Sequence, residues 1–361
     1  MRPELFEIPF LHITVKSYGM MMVIGILVAI YVIRKLADRV GAGTLNKDYI
    51  TNGALYALII GVIGARLFYV LHHYDQFRGR DFISYFAIWE GGLELLGGAI
   101  PAIIIVFIYL IKLKLPIRRY LDILTIGLLI TLGFGRLGCL MNGCCYGQPS
   151  NVPWAITFPY ASIAYYSQAY PDPKRDRSAP QIKLPVEFYG FAVDGRWVQA
   201  EPNSKYVSDL KPYQMLTPEE KQAVATGKYK CLAVHPTQIY ASLTGFLISA
   251  ILFAYWRFVG YGKDGRIPRF SIGKPGCTFA LMFMLYAPLR FLEETLRDDN
   301  PFDQIFGMTV SQLIACALFA FGVVMFVIFW KIPADRIMRE PALSSAKQAQ
   351  LSPHKARRSA R

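Results

Sequence analysis

The chain has 361 residues, 39 Lys and Arg against 25 Asp and Glu, a net charge of +14, and 54% hydrophobic residues. Its length alone would suit two soluble domains. However, only 18% of residues are charged and the apolar ones gather in long blocks, which excludes a disordered chain and argues against a soluble globular enzyme. A basic surplus points either to nucleic acid or to the Lys/Arg-rich cytoplasmic loops of a membrane protein, and the placement of charge decides between them.

A helix needs about 20 mostly apolar residues to cross the hydrocarbon core. Seven stretches meet or approach that length: Tyr18–Ile33, Gly53–Leu71, Leu95–Ile111, Leu121–Phe134, Gln238–Trp256, Thr278–Leu292 and Thr309–Trp330. The fourth and sixth are short and rich in Gly or polar residues, as segments lining a cavity within a membrane protein are. The first begins too far from the start, and lacks the basic leader, to be a cleaved signal peptide. The expected fold is therefore an all-α integral membrane protein of seven transmembrane helices.

Charge orients the spans. Arg34, Lys35, Arg39 and Lys47 follow span one, Lys112, Lys114, Arg118 and Arg119 follow span three, and Arg257, Lys263, Arg266, Arg269 and Lys274 follow span five. The opposite side holds few basic residues, so the N-terminus is expected outside and the C-terminus in the cytoplasm. This removes nucleic acid as the reason for the charge. The polar segment 148–234, between spans four and five, then reads as an extracytoplasmic cap with short strands and a little helix near Pro218–Thr226. Residues 1–335 form the expected membrane domain with that insert. The basic tail, 336–361, reads as disordered and suits an anionic inner leaflet. No internal repeat is visible.

Ionisable groups inside spans are costly and are functional candidates by default. The densest run is Gly133-Phe134-Gly135-Arg136-Leu137-Gly138-Cys139-Leu140-Met141-Asn142-Gly143-Cys144-Cys145-Tyr146-Gly147. Its glycines allow close backbone approach to a ligand. Arg136 offers a fork suited to phosphate oxygens, or else snorkels to the interface. Arg290, Glu294 and Arg297 fall at i, i+4 and i+7, so a carboxylate lies between two guanidiniums, either to position them for an anion or as a helix-end ion-pair ladder. Tyr18-Gly19, Gly64-Ala65-Arg66-Leu67-Phe68-Tyr69, Trp89 to Gly98 and His235-Pro236-Thr237-Gln238-Ile239-Tyr240 are further polar insertions assigned to the same outer half. Such a site fits an anion. A water-soluble anion would mean a transporter, and a lipid phosphate an enzyme of the outer leaflet.

In this order, these runs resemble the prolipoprotein diacylglyceryl transferase family from about Ile8 to Trp330. Each motif alone is weak, but six in order on seven spans are specific. The resemblance implies a bacterial inner-membrane enzyme that moves the diacylglyceryl group of phosphatidylglycerol to the lipobox cysteine thiol of a preprolipoprotein. The products are a thioether and glycerol phosphate, with no cofactor or metal. By position, Arg136 and Arg290 would bind the phosphate and stabilise the leaving group. Asn142, Gly147, Tyr18 and His235 would line the site, and Glu294 and Arg297 would support Arg290. Three positions depart from the commoner pattern. Leu96 stands where the family has His or Tyr as the proposed base, and Cys139 and Cys144 stand where it has Asn and Glu. Without that base, Glu94, His235 or the arginines must deprotonate the acceptor, or the chain is an inactive homologue that binds anionic lipid or lipoprotein precursor. Transport is disfavoured because no inverted repeat is present and the polar groups cluster on one face.

Cys277 and Cys316 read as small buried hydrophobes. Cys139, Cys144, Cys145 and Cys231 would face the oxidising side, where a disulfide such as Cys145–Cys231 could tie cap to signature. A zinc set of Cys144, Cys145, Cys231 and His235 is conceivable, but adjacent cysteines space poorly around a tetrahedron.

Overall fold

The computed structural model describes residues 4–8, 13–40, 45–79, 81–87, 92, 94–173, 177–194, 196–200, 209–260, 273–299, 304–305 and 307–333. Trp89, Glu90, Gly91, Lys263, Arg266, Arg269 and the tail from residue 334 lie outside the described residues.

The protein is mostly helical. Ten α-helices are described: α1 Ser17–Val40, α2 Lys47–His72, α3 Tyr74–Phe77, α4 Leu95–Lys112, α5 Ile117–Asn142, α6 Ile163–Ala169, α7 Pro218–Ala225, α8 Thr237–Tyr255, α9 Cys277–Leu296 and α10 Val310–Lys331. Each expected span coincides with one of the long helices. Five helices, α1, α2, α5, α8 and α10, are long and apolar enough to cross a membrane. The apolar part of α4 is shorter, and α9 has 20 residues, among them Arg290, Glu293 and Glu294. The expected fourth span, Leu121–Phe134, proves too short: α5 runs 26 residues to Asn142 and carries Arg136 inside the helix. Its glycines sustain the helix because they face neighbours. A Cβ on Gly133 would meet the Phe246 ring at 2.6 Å, and one on Gly138 would meet Tyr18 Cδ2 at 3.1 Å.

The chain divides into two compact units. One comprises Met1–Val28, Leu128–Ala250 and Met282–Val323; the other comprises Ala29–Gly127, Ile251–Leu281 and Val324–Arg361.

In the first unit, strands β1 Glu4–Ile8 and β2 Ile13–Lys16 form an antiparallel hairpin leading into α1. The segment 148–234 has its own core, in which Tyr146, Phe158, Tyr165, Tyr170, Tyr189 and Val234 are buried together. Strands β3 Tyr189–Val193, β4 Arg196–Gln199 and β5 Asp209–Leu210 form a small antiparallel sheet in the order β4-β3-β5. The expected helix near Pro218 is α7. Its Thr217 side chain accepts from Glu220 N while the Glu220 carboxylate accepts from Thr217 N, a reciprocal cap. Strands β6 Gln304–Ile305 and β7 Met308–Thr309 pair just before α10.

In the second unit, α2 and α4 pack through small residues. A Cβ on Gly64 would lie 2.8 Å from Pro101 Cγ, and one on Gly98 would lie 2.9 Å from Gly61 O. Close helix approach of this kind is how membrane helices gain packing without a hydrophobic drive. Buried Asp122 on α5 accepts the backbone N–H groups of Gly276 at 2.7 Å and Phe279 at 2.9 Å. It thereby satisfies donors that the first turn of α9 leaves open.

Candidate functional site

The signature run folds as the last turns of α5 followed by a tight loop. Gly143 adopts φ +79°, as a helix-ending residue often does, and Cys145 takes the left-handed region at φ +58°. That conformation is uncommon for a side chain with a Cβ and must be held by its surroundings. Asp299 Oδ2 accepts from Cys145 N at 3.0 Å, Thr237 Oγ1 donates to Cys145 O at 2.6 Å, and Gln238 Nε2 donates to Cys144 O at 2.7 Å. The first turn of α8 therefore clamps the loop. Gln238 is fully buried and its Oε1 has no hydrogen-bond donor among the described residues.

Three segments meet at Gly147. Gly147 N donates to His235 O, Gln148 N to Leu296 O, and Asp298 N to Tyr146 O. A Cβ on Gly147 would meet His235 Cβ and O at 2.7 Å and Leu296 O at 2.8 Å. Protein backbone fills the space that sequence reasoning reserved for a ligand, so the glycine serves close packing.

The α9 arginines behave as their spacing predicts. Glu294, 5% exposed, binds Arg290 at 2.7 Å and lies 3.7 Å from Arg297. Arg297 is also gripped by Asp299 through two contacts, Nε to Oδ1 at 2.9 Å and Nη2 to Oδ2 at 3.0 Å. Burial works against the Arg297 charge, but the Asp299 carboxylate outweighs it and raises the guanidinium above its ordinary value. Asp299 thus joins this ladder to the Cys145 amide. Asp298 in turn holds Arg177 of the insert at 3.1 Å. Neither aspartate was assigned a role from sequence, though both follow Arg297 directly.

Arg136 differs. It is half-buried and makes no hydrogen bond or ion pair among the described residues. Tyr286, Cys145, Cys139 and Arg297 lie within electrostatic range of it. Tyr18 is 36% exposed and lies in range of Arg136 and of the three signature cysteines. The Asn142 amide donates to Cys144 Sγ at 3.6 Å. His235 Nδ1 lies 3.3 Å from Tyr240 Oη, which also accepts from Trp154 Nε1 at 2.6 Å. All the predicted site residues, Tyr18, Arg136, Asn142, Gly147, His235, Arg290, Glu294 and Arg297, belong to the first unit. Ala287, Pro288, Phe291 and Leu292 of α9, neighbours of Arg290 in sequence, line an apolar groove of ≈ 400 Å³ with Ala315, Cys316 and Phe319 of α10.

Cysteine placement overturns one expectation: Cys277 is buried, but Cys316, read as a small buried hydrophobe, is exposed. All six thiols are free. Cys231 is buried in the insert core, where it donates to Gln168 Oε1 at 3.3 Å, and burial pushes its thiol up to about 11. The sulfurs of Cys139, Cys144 and Cys145 instead lie within 4.8 Å of one another, without Cys231 or His235. Hydrogen bonds with Cys139 and then Cys145 hold the Cys144 thiol below its ordinary range.

The remaining motifs sit in the second unit. Arg66, only 4% exposed, spends its guanidinium on the backbone carbonyls of Ser84 at 2.6 Å, Tyr85 at 3.1 Å and Gly92 at 3.3 Å. It organises the connection between α2 and α4. Glu94 precedes α4 and its Oε1 lies 3.1 Å from His72 Nδ1. Sequence reasoning named Glu94 but missed His72, whose signal was a His-His pair closing an apolar span. Leu96 is 66% exposed.

The profile of the family described as prolipoprotein diacylglyceryl transferase matches residues 3–328. Three relatives named phosphatidylglycerol–prolipoprotein diacylglyceryl transferase illustrate the range. That of Rhodopirellula baltica is 26% identical, covering 88% of this chain and 73% of its own length. That of Clostridium tetani is 25% identical, covering 90% and 97%. That of Prochlorococcus marinus strain MIT 9301 is 29% identical over 160 residues, covering 41% and 53%. The match thus spans about half the length of the relatives from Prochlorococcus marinus strains MIT 9301 and MIT 9215.

Proposed function

The chain belongs to the prolipoprotein diacylglyceryl transferase family, and on that premise we propose that it transfers the diacylglyceryl group of phosphatidylglycerol to the lipobox cysteine of preprolipoproteins. The acceptor sulfur attacks the glyceryl carbon, the carbon–oxygen bond to phosphate breaks, and the electron pair leaves with glycerol phosphate. The acceptor proton passes to solvent or to a side-chain base.

One observation carries this reading: Arg136 is a half-buried guanidinium that makes no hydrogen bond or ion pair among the described residues, the Glu293 carboxylate lying only within electrostatic range of it. An unpaired charge at low dielectric is expensive unless a ligand supplies the counter-charge. Arg290, already bound to Glu294, is the second phosphate contact, and Glu294 and Arg297 fix its direction. Both cations strengthen as charge develops on the leaving phosphate. Tyr18, Asn142 and His235 line the site. The apolar groove beside Arg290 takes an acyl chain. Gly147 sets the backbone that carries them.

The reading extends to topology. All seven long helices span the bacterial inner membrane, with the N-terminus outside and the C-terminus cytoplasmic. Segment 148–234 is the extracytoplasmic cap on a membrane domain of residues 1–335, and 336–361 is a separate cytoplasmic tail. Here the substrates, both at the outer leaflet, meet Arg136 directly.

Deprotonation of the acceptor has two side-chain candidates. His235, in the same unit as Arg136 and 3.3 Å from Tyr240 Oη, is one; Glu94, named from sequence, is the other and belongs to the second unit, where it pairs with His72. An exposed aliphatic Leu96 favours the second reading, a lipid-binding homologue without turnover. Purified protein given phosphatidylglycerol and a lipobox peptide separates the two. A peptide mass increased by one diacylglyceryl group supports transfer, and an unchanged mass at every pH supports the inactive homologue.

A further inference from the structure

The thiols of Cys139, Cys144 and Cys145 are unused by the reaction above, yet the fold brings them together with care. Adjacent cysteines ordinarily project apart. Here the left-handed φ of +58° at Cys145 turns its side chain back, so that all three sulfurs converge within 4.8 Å. Three contacts from two other segments hold that strained loop: Asp299 on the Cys145 amide, Thr237 on its carbonyl and Gln238 on the Cys144 carbonyl. A disulfide needs two sulfurs, whereas three mutually close ones describe a coordination face. Zinc–sulfur bonds of about 2.3 Å place tetrahedral thiolates about 3.8 Å apart, a closure that side-chain rotation supplies. Three thiolates around a divalent ion leave one negative charge, and Arg136 and Arg297 both lie in electrostatic range of Cys145 to offset it. Buried Gln238 Oε1, which no described donor satisfies, adds a free acceptor on the residue that clamps the loop.

We propose that Cys139, Cys144 and Cys145 bind one zinc(II) ion as three thiolates, leaving a fourth position for the acceptor thiol. Soft sulfur ligands select zinc over the hard divalent ions. Three protein ligands with one open position is the pattern of catalytic rather than structural zinc. A thiol entering that position replaces water, and its proton passes to solvent, because a thiol coordinated to zinc is deprotonated outright. The bound sulfur then attacks the glyceryl carbon, and the leaving phosphate departs with its electron pair as before. In this chain the metal takes over the task that Leu96 cannot perform. The site itself stands on the three cysteines alone; its use of the fourth position rests on the transferase reading.

The test uses the full chain in phosphatidylglycerol nanodiscs. Elemental analysis is expected to find one zinc per chain. Cobalt(II) exchanged into the site should give the intense visible bands of a tetrahedral thiolate complex, and a lipobox peptide should shift them while its Cys-to-Ser analogue should not. Cys139→Ala and Cys144→Ala should each weaken metal binding by at least tenfold, and Cys316→Ala, at an exposed thiol outside the group, should leave it unchanged. No metal in the wild-type chain, a disulfide among the three in its place, or retention of zinc after all three are replaced would overturn the site. The wild-type cobalt spectrum does not depend on any variant folding, so it tests the site by itself. Undiminished transfer by the metal-stripped enzyme overturns the fourth-position role and leaves the transferase reading intact. Zinc binding with no transfer to any lipobox peptide overturns the transferase reading and leaves the site.

Discussion

A guanidinium that makes no ion pair among the described residues is the smallest unit of the functional case. Charge-assisted hydrogen bonds are worth roughly 1.5–3 kcal/mol, and one lost transition-state contact costs about 10²–10³ in rate. Arg136→Ala should therefore reduce transfer by about that factor while the protein still inserts and melts normally. Arg136→Lys should recover only part, since a point charge lacks the planar fork. Near-normal turnover in the alanine variant would return Arg136 to an interfacial side chain. The histidine shared with Tyr240 gives a second expectation. If His235 moves the acceptor proton, His235→Asn should lower the rate about 10²-fold at neutral pH, less at high pH where the thiol ionises unaided; an unchanged profile assigns the proton elsewhere. The geometry of Arg290, Glu294 and Arg297 was legible from i, i+4, i+7 spacing because it depends on one helix. The partners of Cys144 and Cys145 were not, because Thr237, Gln238 and Asp299 reach them from segments about 90 to 150 residues away. The glycines of the signature were legible as close-approach positions, but not what approaches.

Helices show the same division between local and distant signals. Hydropathy located every long helix yet ended the fourth eight residues early, because it reads glycine and Arg136 as a boundary. In place, each glycine of α5 meets a neighbouring helix and continues the turn. Capping by a distant carboxylate is equally invisible in one dimension. Asp122 satisfies two amides where α9 begins, and losing it exposes buried donors at a cost of about 1–3 kcal/mol. Asp122→Ala should lower the thermal midpoint in detergent, and Asp122→Asn, which keeps one acceptor oxygen, should lower it less. Equal midpoints for all three would deny the cap. In the insert, burial raises the Cys231 thiol to about 11. A neutral buried thiol contributes no pH dependence below its unfolded value of about 8.5; between that value and about 11 the unfolded chain loses the proton first and stability falls as pH rises. The insert should therefore loosen through that window. Cys231 alkylation should stay slow at pH 8 and accelerate above pH 9, whereas exposed Cys316 should react throughout.

At the scale of the molecule, the outward face of the long helices identifies the solvent. Leu27, Leu58, Ile63, Ile103, Ile104, Leu247 and Val324 are all exposed, a pattern that would aggregate in water and belongs against lipid tails. That apolar coat was legible from composition. The independent core of segment 148–234 was less so, because aromatic packing among Tyr146, Tyr165, Tyr170 and Tyr189 has no simple period. Orientation follows from basic residues rather than from helix packing: those after α1, α4 and α8 all fall on one side if every long helix spans. Lys and Arg in short loops resist export, so this side is expected in the cytoplasm. The opposite side then holds the α5 end, the α8 start and the α9 end, the three segments joined at Gly147. A phosphatase reporter fused after Lys331 should be inactive and a fluorescent one bright, while phosphatase placed within 201–208 should be active. Export of the fusion after Lys331 would invert the molecule, putting Arg136 at the cytoplasmic leaflet, where an exported lipobox peptide could not reach it.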